Sequence, residues 1–88
     1  MRIFRTSTFK KDYKKMQKRG KEIEKLDEVI IKLAYGKKLE AKYLDHNLLG
    51  YCKGRRECHL EPDWLLLYKL EKDEIILERT GTHSDLFE

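Results

Sequence analysis

The run Trp64-Leu-Leu-Leu-Tyr-Lys-Leu70 is apolar at odd and even positions alike, and a strand of that pattern buries side chains on both faces. The centre of a sheet offers that environment when one face is covered by helices. Pro62-Asp63 before the run and Lys72-Asp73 after it are breaks, the second a hairpin turn. The rest of the chain must therefore supply neighbouring strands and a helical cover. A strand over Glu57 to Glu61 and another over Glu74 to Thr80, ending at Gly81, flank the run. Gly50 to Lys53 reads as a further strand closed by a turn at Gly54, and Arg2 to Arg5 as a short first strand with Ile3 flanked by charges.

The period changes in the first half. Phe9, Tyr13 and Met16 recur at helical spacing with lysines between them, after a capping Thr6 or Ser7 and before a stop at Gly20. Ile23, Leu26, Val29, Ile30 and Leu33 form the apolar face of a second helix, ended by Gly36. The two helices are expected to form a hairpin. Leu39 to Leu49 has no clear period, and its Asp45-His46-Asn47 group reads as a connecting loop with His46 at the surface. The order strand, two helices, then three or four strands gives an α+β fold: an N-terminal strand and a two-helix hairpin packed on a twisted, mostly antiparallel sheet of four to five strands. With 88 residues it is expected to form one domain over 1–88.

Charge is divided unevenly. Residues 1 to 44 carry 14 basic and 6 acidic side chains, against 6 and 10 in residues 45 to 88. Lys10, Lys14 and Lys18 lie in the densest basic stretch, which reads either as a solvated helix face or as a contact for a polyanion. No apolar run approaches the roughly 18 residues that cross a bilayer, and Met-Arg-Ile-Phe-Arg lacks the apolar core of a signal peptide. A cytoplasmic protein is expected, with Cys52 and Cys58 reduced. No glycine-rich phosphate loop or G-x-S-x-G elbow appears, and the Cys-x5-Cys spacing suits zinc poorly, so neither cofactor nor metal is expected.

The polar residues of the second half suggest chemistry of another kind. In the strand Glu57 to Glu61, alternation puts Cys58 and Leu60 on one face and Glu57, His59 and Glu61 on the other. Arg79 shares parity with Ile75 and Leu77, yet lies at a strand end. Cutting RNA without metal needs a base for the 2′-hydroxyl proton, an acid for the leaving 5′-oxygen, and a cation for the charge growing on phosphate. Histidine changes protonation near neutral pH and suits the first two roles; the guanidinium of Arg79 suits the third. His46, His59 and His83 are the candidates, with Asp63 as base, orienter or nucleotide contact. Trp64 and Phe87 can stack on a base. Each has a plainer reading: Trp64 as core, Asp63 as a turn residue, and Arg79 as the partner of Glu78 or Glu57.

The ordered set Asp45-His46, Leu49-Gly50, Arg56-Glu57-Cys58-His59-Leu60-Glu61-Pro62-Asp63-Trp64, Tyr68-Lys69-Leu70 and Glu78-Arg79-Thr80-Gly81-Thr82-His83-Ser84-Asp85-Leu86-Phe87 resembles the YafQ branch of the RelE/ParE toxin superfamily. The resemblance runs from the first helix to the C-terminus. It implies a RelE-like microbial RNase fold and the toxin half of a bacterial type II toxin-antitoxin pair, cutting mRNA in the ribosomal A site without a metal. Its catalytic positions fall on His46, His59, Asp63, Arg79, His83 and Phe87, with His83 the principal proton donor or acceptor. It further implies RNA contacts from Trp64, Arg56, Lys10, Lys14 and Lys18, and a cognate antitoxin with an acidic C-terminal segment, through which alone DNA is contacted. The cysteines fall outside the motif and are assigned to packing. The competing reading is a basic binding module without enzymatic activity, such as a gyrase-poisoning toxin.

Overall fold

The computed structural model describes residues 1–48 and 54–87. Strand β1 (Arg2–Arg5) leads into helix α1 (Ser7–Lys18) and then α2 (Ile23–Ala34). A single 3-10 turn at Ala41–Tyr43 precedes β2 (His46–Asn47), followed by β3 (Arg55–Glu61), β4 (Trp64–Glu71), β5 (Glu74–Gly81) and α3 (His83–Phe87). The expected strand over Gly50 to Lys53 lies outside the described residues.

Local chemistry explains the helix limits. The Thr6 hydroxyl accepts the Phe9 amide at 3.0 Å, capping α1. Past its end, Gly20 adopts φ +80°, and the amides of Gly20 and Lys21 donate to Gln17 and Met16 at 3.0 and 3.1 Å. Gly36, at φ +73°, closes α2 in the same way. Both are paired-bond terminations that need a left-handed residue, so glycine stands there.

The sheet order is β1-β5-β4-β3-β2. β4 holds the centre, as its two-sided apolar pattern requires. The β2–β3, β3–β4 and β4–β5 pairs are antiparallel, while β1 runs parallel to β5, making the sheet mixed. Phe9 and Met16 of α1 and Leu26, Val29, Ile30 and Leu33 of α2 cover one face. They form one core with Cys58, Leu60, Trp64, Leu66, Tyr68, Ile75 and Leu77. Cys58 is wholly buried, and burial pushes its thiol up to about 12, which keeps it protonated packing material.

Three expectations need correction. The segment read as a loop contains β2, so His46 sits on a two-residue edge strand. Leu60 is an extra residue between the pairs His59↔Leu65 and Glu61↔Trp64, and this bulge turns Glu61 to the helix side. There Glu61 accepts Lys21 and Lys25, each at 3.1 Å, instead of sharing a face with His59. In β5, Glu78 is the extra residue between Leu77↔Tyr68 and Arg79↔Leu67. That second bulge takes Arg79 off the face of Ile75 and Leu77 and puts Thr80 in the interior, 1% exposed.

Candidate active site

The face not covered by α1 and α2 carries two adjoining rows of cross-strand partners. One runs His46–Glu57–Leu67–Arg79 and the other His59–Leu65–Gly81. Leu65 is fully buried although it stands outside the core between the layers, so it forms an apolar floor beside His59. The imidazoles then form a file: His46 to His59 at 6.3 Å between ring centroids, His59 to His83 at 5.9 Å, and His83 to the Phe87 ring at 6.2 Å. Three elements far apart in sequence meet here.

The Pro62-Asp63 turn between β3 and β4 brings Asp63 beneath the start of α3. Asp63 Oδ1 accepts the His83 amide at 2.9 Å and lies 2.6 Å from His83 Nδ1. The amide first, and then the imidazole, hold the Asp63 carboxyl below its usual range, so it is an anion at neutral pH. An anion at Nδ1 selects the Nδ1–H tautomer and leaves Nε2 for proton exchange. Of the roles open to Asp63, orienting His83 fits this geometry.

His46 is held similarly, with Nδ1 2.6 Å from the Leu44 carbonyl oxygen. Its Nε2 lies 4.0 Å from Glu57 Oε2, and His59 Nε2 lies 3.2 Å from Glu57 Oε1. Glu57 is 8% exposed, a nearly buried carboxylate between two imidazoles. Sequence reasoning placed it on the same face as His59 and offered it only as a possible partner of Arg79.

Arg79 is held from outside the sheet. Beyond Leu77, no strand among the described residues pairs with the outer edge of β5, and α1 runs there instead. Asp12 Oδ2 accepts the Thr80 amide at 3.2 Å and Arg79 Nε at 2.8 Å, and Asp12 Oδ1 accepts Nη2 at 3.3 Å. One edge of the guanidinium is thus fixed. Among the described residues Nη1 makes no hydrogen bond, and the side chain is 35% exposed. The partner is neither Glu78, which pairs with Arg55 at 2.9 Å, nor Glu57.

Helix α3 is pinned to α1 and folded tightly on β5. Asp85 accepts the Thr82 amide at 2.9 Å while the Thr82 hydroxyl accepts the Asp85 amide at 3.1 Å, a reciprocal cap. Arg19 grips the same carboxylate at 2.6 and 3.0 Å. A Cβ on Gly81 would come within 2.9 Å of Asp85 Cβ, so only glycine lets α3 turn back this closely. Arg19 first, then the Thr82 amide, drive the Asp85 carboxyl far below its usual range. A group depressed on folding stabilises the fold above its unfolded value near ~3.9 and ceases to do so as pH falls through its folded value. We expect Asp85→Asn to be less stable than the parent at pH 7 in urea unfolding, and the difference to shrink steadily below about pH 4. A constant difference down to pH 2 would contradict the assignment.

The structure brings His46, His59, Asp63, His83 and Phe87 together and puts Arg79 on the same face of the sheet, with Phe87 54% exposed. Two other assignments are corrected. Trp64 is 0% exposed, with Nε1–H donating to Thr80 Oγ1 at 3.0 Å, so its ring is core and cannot stack on a base. Arg56 lies across from Tyr68 on the helix side, and its guanidinium is occupied by Asp45, Asn47 and Tyr68. It is not available to RNA. Lys10, Lys14 and Lys18 are exposed on α1, on the side of the sheet away from the histidines, and make no ion pair among the described residues.

A small mixed sheet with a helical cover on one face, and a file of three histidines and a tethered arginine on the other, defines the class of this α+β protein. Residues 1–88 match the family model described as the bacterial toxin of type II toxin-antitoxin systems, YafQ. The chain is 46% identical over 80 residues to the mRNA interferase toxin YafQ of Escherichia coli K12, covering 90% of this chain and 87% of that one. It superposes on the crystal structure of the E. coli DinJ-YafQ complex with a TM-score of 0.94 at 43% identity, covering 100% of both chains. A copper-bound mutant toxin from Helicobacter pylori gives 0.95 at 39% identity, with 99% of each chain covered. The chain belongs to the YafQ family of type II toxins.

Proposed function

We propose that the chain is an endoribonuclease that cuts mRNA in the ribosomal A site by histidine acid-base catalysis, as the toxin of a type II pair in the bacterial cytoplasm. The observation that carries this reading is the file of His46, His59 and His83 beside a guanidinium held on one edge only. The name mRNA interferase, borne by the E. coli relative, supports it. Two proton-transferring imidazoles and a cation at the phosphate supply what the reaction requires, so the proposed mechanism uses no metal.

One proton transfer belongs to His83. With Nδ1 on Asp63, its Nε2 takes the 2′-hydroxyl proton or returns one to the leaving oxygen. The 2′-oxygen attacks phosphorus, a 2′,3′-cyclic phosphate forms, and the bond to the 5′-oxygen breaks as that oxygen is protonated. His59, backed by Glu57, and His46 serve the second transfer and the placing of the substrate. Arg79, fixed by Asp12, turns its free Nη1 edge to the phosphate oxygens as charge grows on them. Phe87 stacks on a nucleotide.

The lysines of α1 serve another contact. Lys10, Lys14 and Lys18 grip ribosomal RNA, leaving the histidine face to the message. The partner is a cognate antitoxin with an acidic C-terminal segment, as the DinJ-YafQ pairing of the E. coli relative suggests, and DNA is reached only through that partner. The test strips the purified toxin of metals with EDTA, removes the chelator, and adds the toxin to programmed ribosomes kept intact in magnesium. Cleavage of the message at the unstripped rate is expected; cleavage abolished by stripping and restored by one added transition metal would overturn the metal-free mechanism.

A further inference from the structure

Strand β2 has only two residues, and it carries His46 at the outer edge of the sheet. Backbone pairing alone is a weak tether for so short an edge strand, since ordering each residue costs conformational entropy that few ladder bonds offset. The chain also enters it through Leu44 at φ +48°, a left-handed conformation unfavourable for leucine. Something else must hold His46 in place. Alternation along the segment sends His46 to the open face and Asp45 and Asn47 to the other.

On that other face the two side chains meet a single group of donors. Arg56 Nη1 donates to Asn47 Oδ1 at 2.6 Å, Nη2 to Asp45 Oδ2 at 3.1 Å, and Nε to Asp45 Oδ1 at 3.3 Å and to the Tyr68 hydroxyl at 3.2 Å. The Tyr68 hydroxyl donates in turn to Asp45 Oδ1 at 2.5 Å. Tyr68 is wholly buried on the central strand, among the residues the helices cover. The rigidity of the core thus reaches both neighbours of His46 through two side chains.

We propose that Arg56 and Tyr68 are positioning residues for cleavage, clamping Asp45 and Asn47 so that the His46 imidazole stands in the file facing the substrate. The clamp rests on the reading that His46 takes part in the reaction. It also gives Arg56 a place in the function that contact with RNA does not.

A double-mutant cycle on programmed ribosomes tests this. Tyr68→Phe keeps the buried ring and removes the hydroxyl; Asp45→Asn weakens the clamp from its outer end without touching the core. Each is made alone and combined with His46→Ala, and single-turnover cleavage is measured beside thermal unfolding. We expect each clamp variant to lower the cleavage rate roughly 10-fold or more, as residues that orient a working histidine do, with no further loss when His46 is already alanine. A loss of equal size in the His46→Ala background would overturn the clamp's role, as would parental rates in both single clamp variants. Parental cleavage by His46→Ala itself would instead overturn the part given to His46. His46 imidazole resonances followed through pH add a reading that global stability does not move: they should shift in Asp45→Asn while those of His83 stay in place.

Discussion

Replacing His83 by alanine should slow message cleavage by about 10²- to 10⁴-fold, the usual contribution of a positioned acid or base. The loss should fall on the chemical step and not on folding. The His83 side chain is 52% exposed and, among the described residues, its ring hydrogen-bonds only to Asp63, so unfolding free energy should change by no more than about 0.5 kcal/mol. Asp63→Asn should reproduce part of the effect, about 10- to 100-fold, because an amide no longer selects the Nδ1–H tautomer. Circular dichroism and single-turnover rates on programmed ribosomes check both parts. An unchanged rate in His83→Ala would remove the centre from the mechanism.

The second large effect concerns stability. Trp64 fills the core between β4 and the helices, and removing its ring leaves a cavity as well as lost burial. Trp64→Ala should cost about 3–5 kcal/mol, a large share of the ~5–15 kcal/mol of a typical domain. Trp64→Phe should cost less, since Thr80 keeps its own bond to the Leu65 carbonyl at 2.7 Å. Packing and base stacking make opposite demands on Trp64→Phe. If the ring only packs, thermal midpoint falls while cleavage per folded molecule stays at the parental level. Weakened RNA affinity at unchanged stability would return Trp64 to the substrate surface.

The parts of the fold that depend on local pattern were legible in the chain. The two-sided apolar run at Trp64–Leu70 placed the central strand, the spacing of Leu26, Ile30 and Leu33 placed α2, and two glycines marked the helix ends. The bulges at Leu60 and Glu78 were not legible, because a bulge is set by the register between strands and leaves no mark in either strand's own alternation. Both matter to the site. The first turns Glu61 away from His59, and the second brings Arg79 onto the histidine face.

The same limit explains the site residues that were missed or misplaced. Asp12 reads as one acid in a lysine-rich helix, and only the tertiary path of α1 along the free edge of β5 makes it the anchor of Arg79. Arg56 stands three places before His59, so alternation along β3 puts it on the opposite face, and there Asp45, Asn47 and Tyr68 occupy its guanidinium. For Glu57 a signal did exist: strand alternation puts it beside His59, and a carboxylate on a histidine-bearing face can be asked what it holds.

The most direct test of a message-cutting toxin is induced expression in a bacterium, with 5′ ends of cellular mRNA mapped for the parental chain and for His83→Ala. Growth arrest with in-frame cuts inside translated messages, both lost in the variant, is the predicted result. Arrest that leaves messages intact while chromosomal DNA breaks accumulate would contradict it, and would point to a gyrase poison instead.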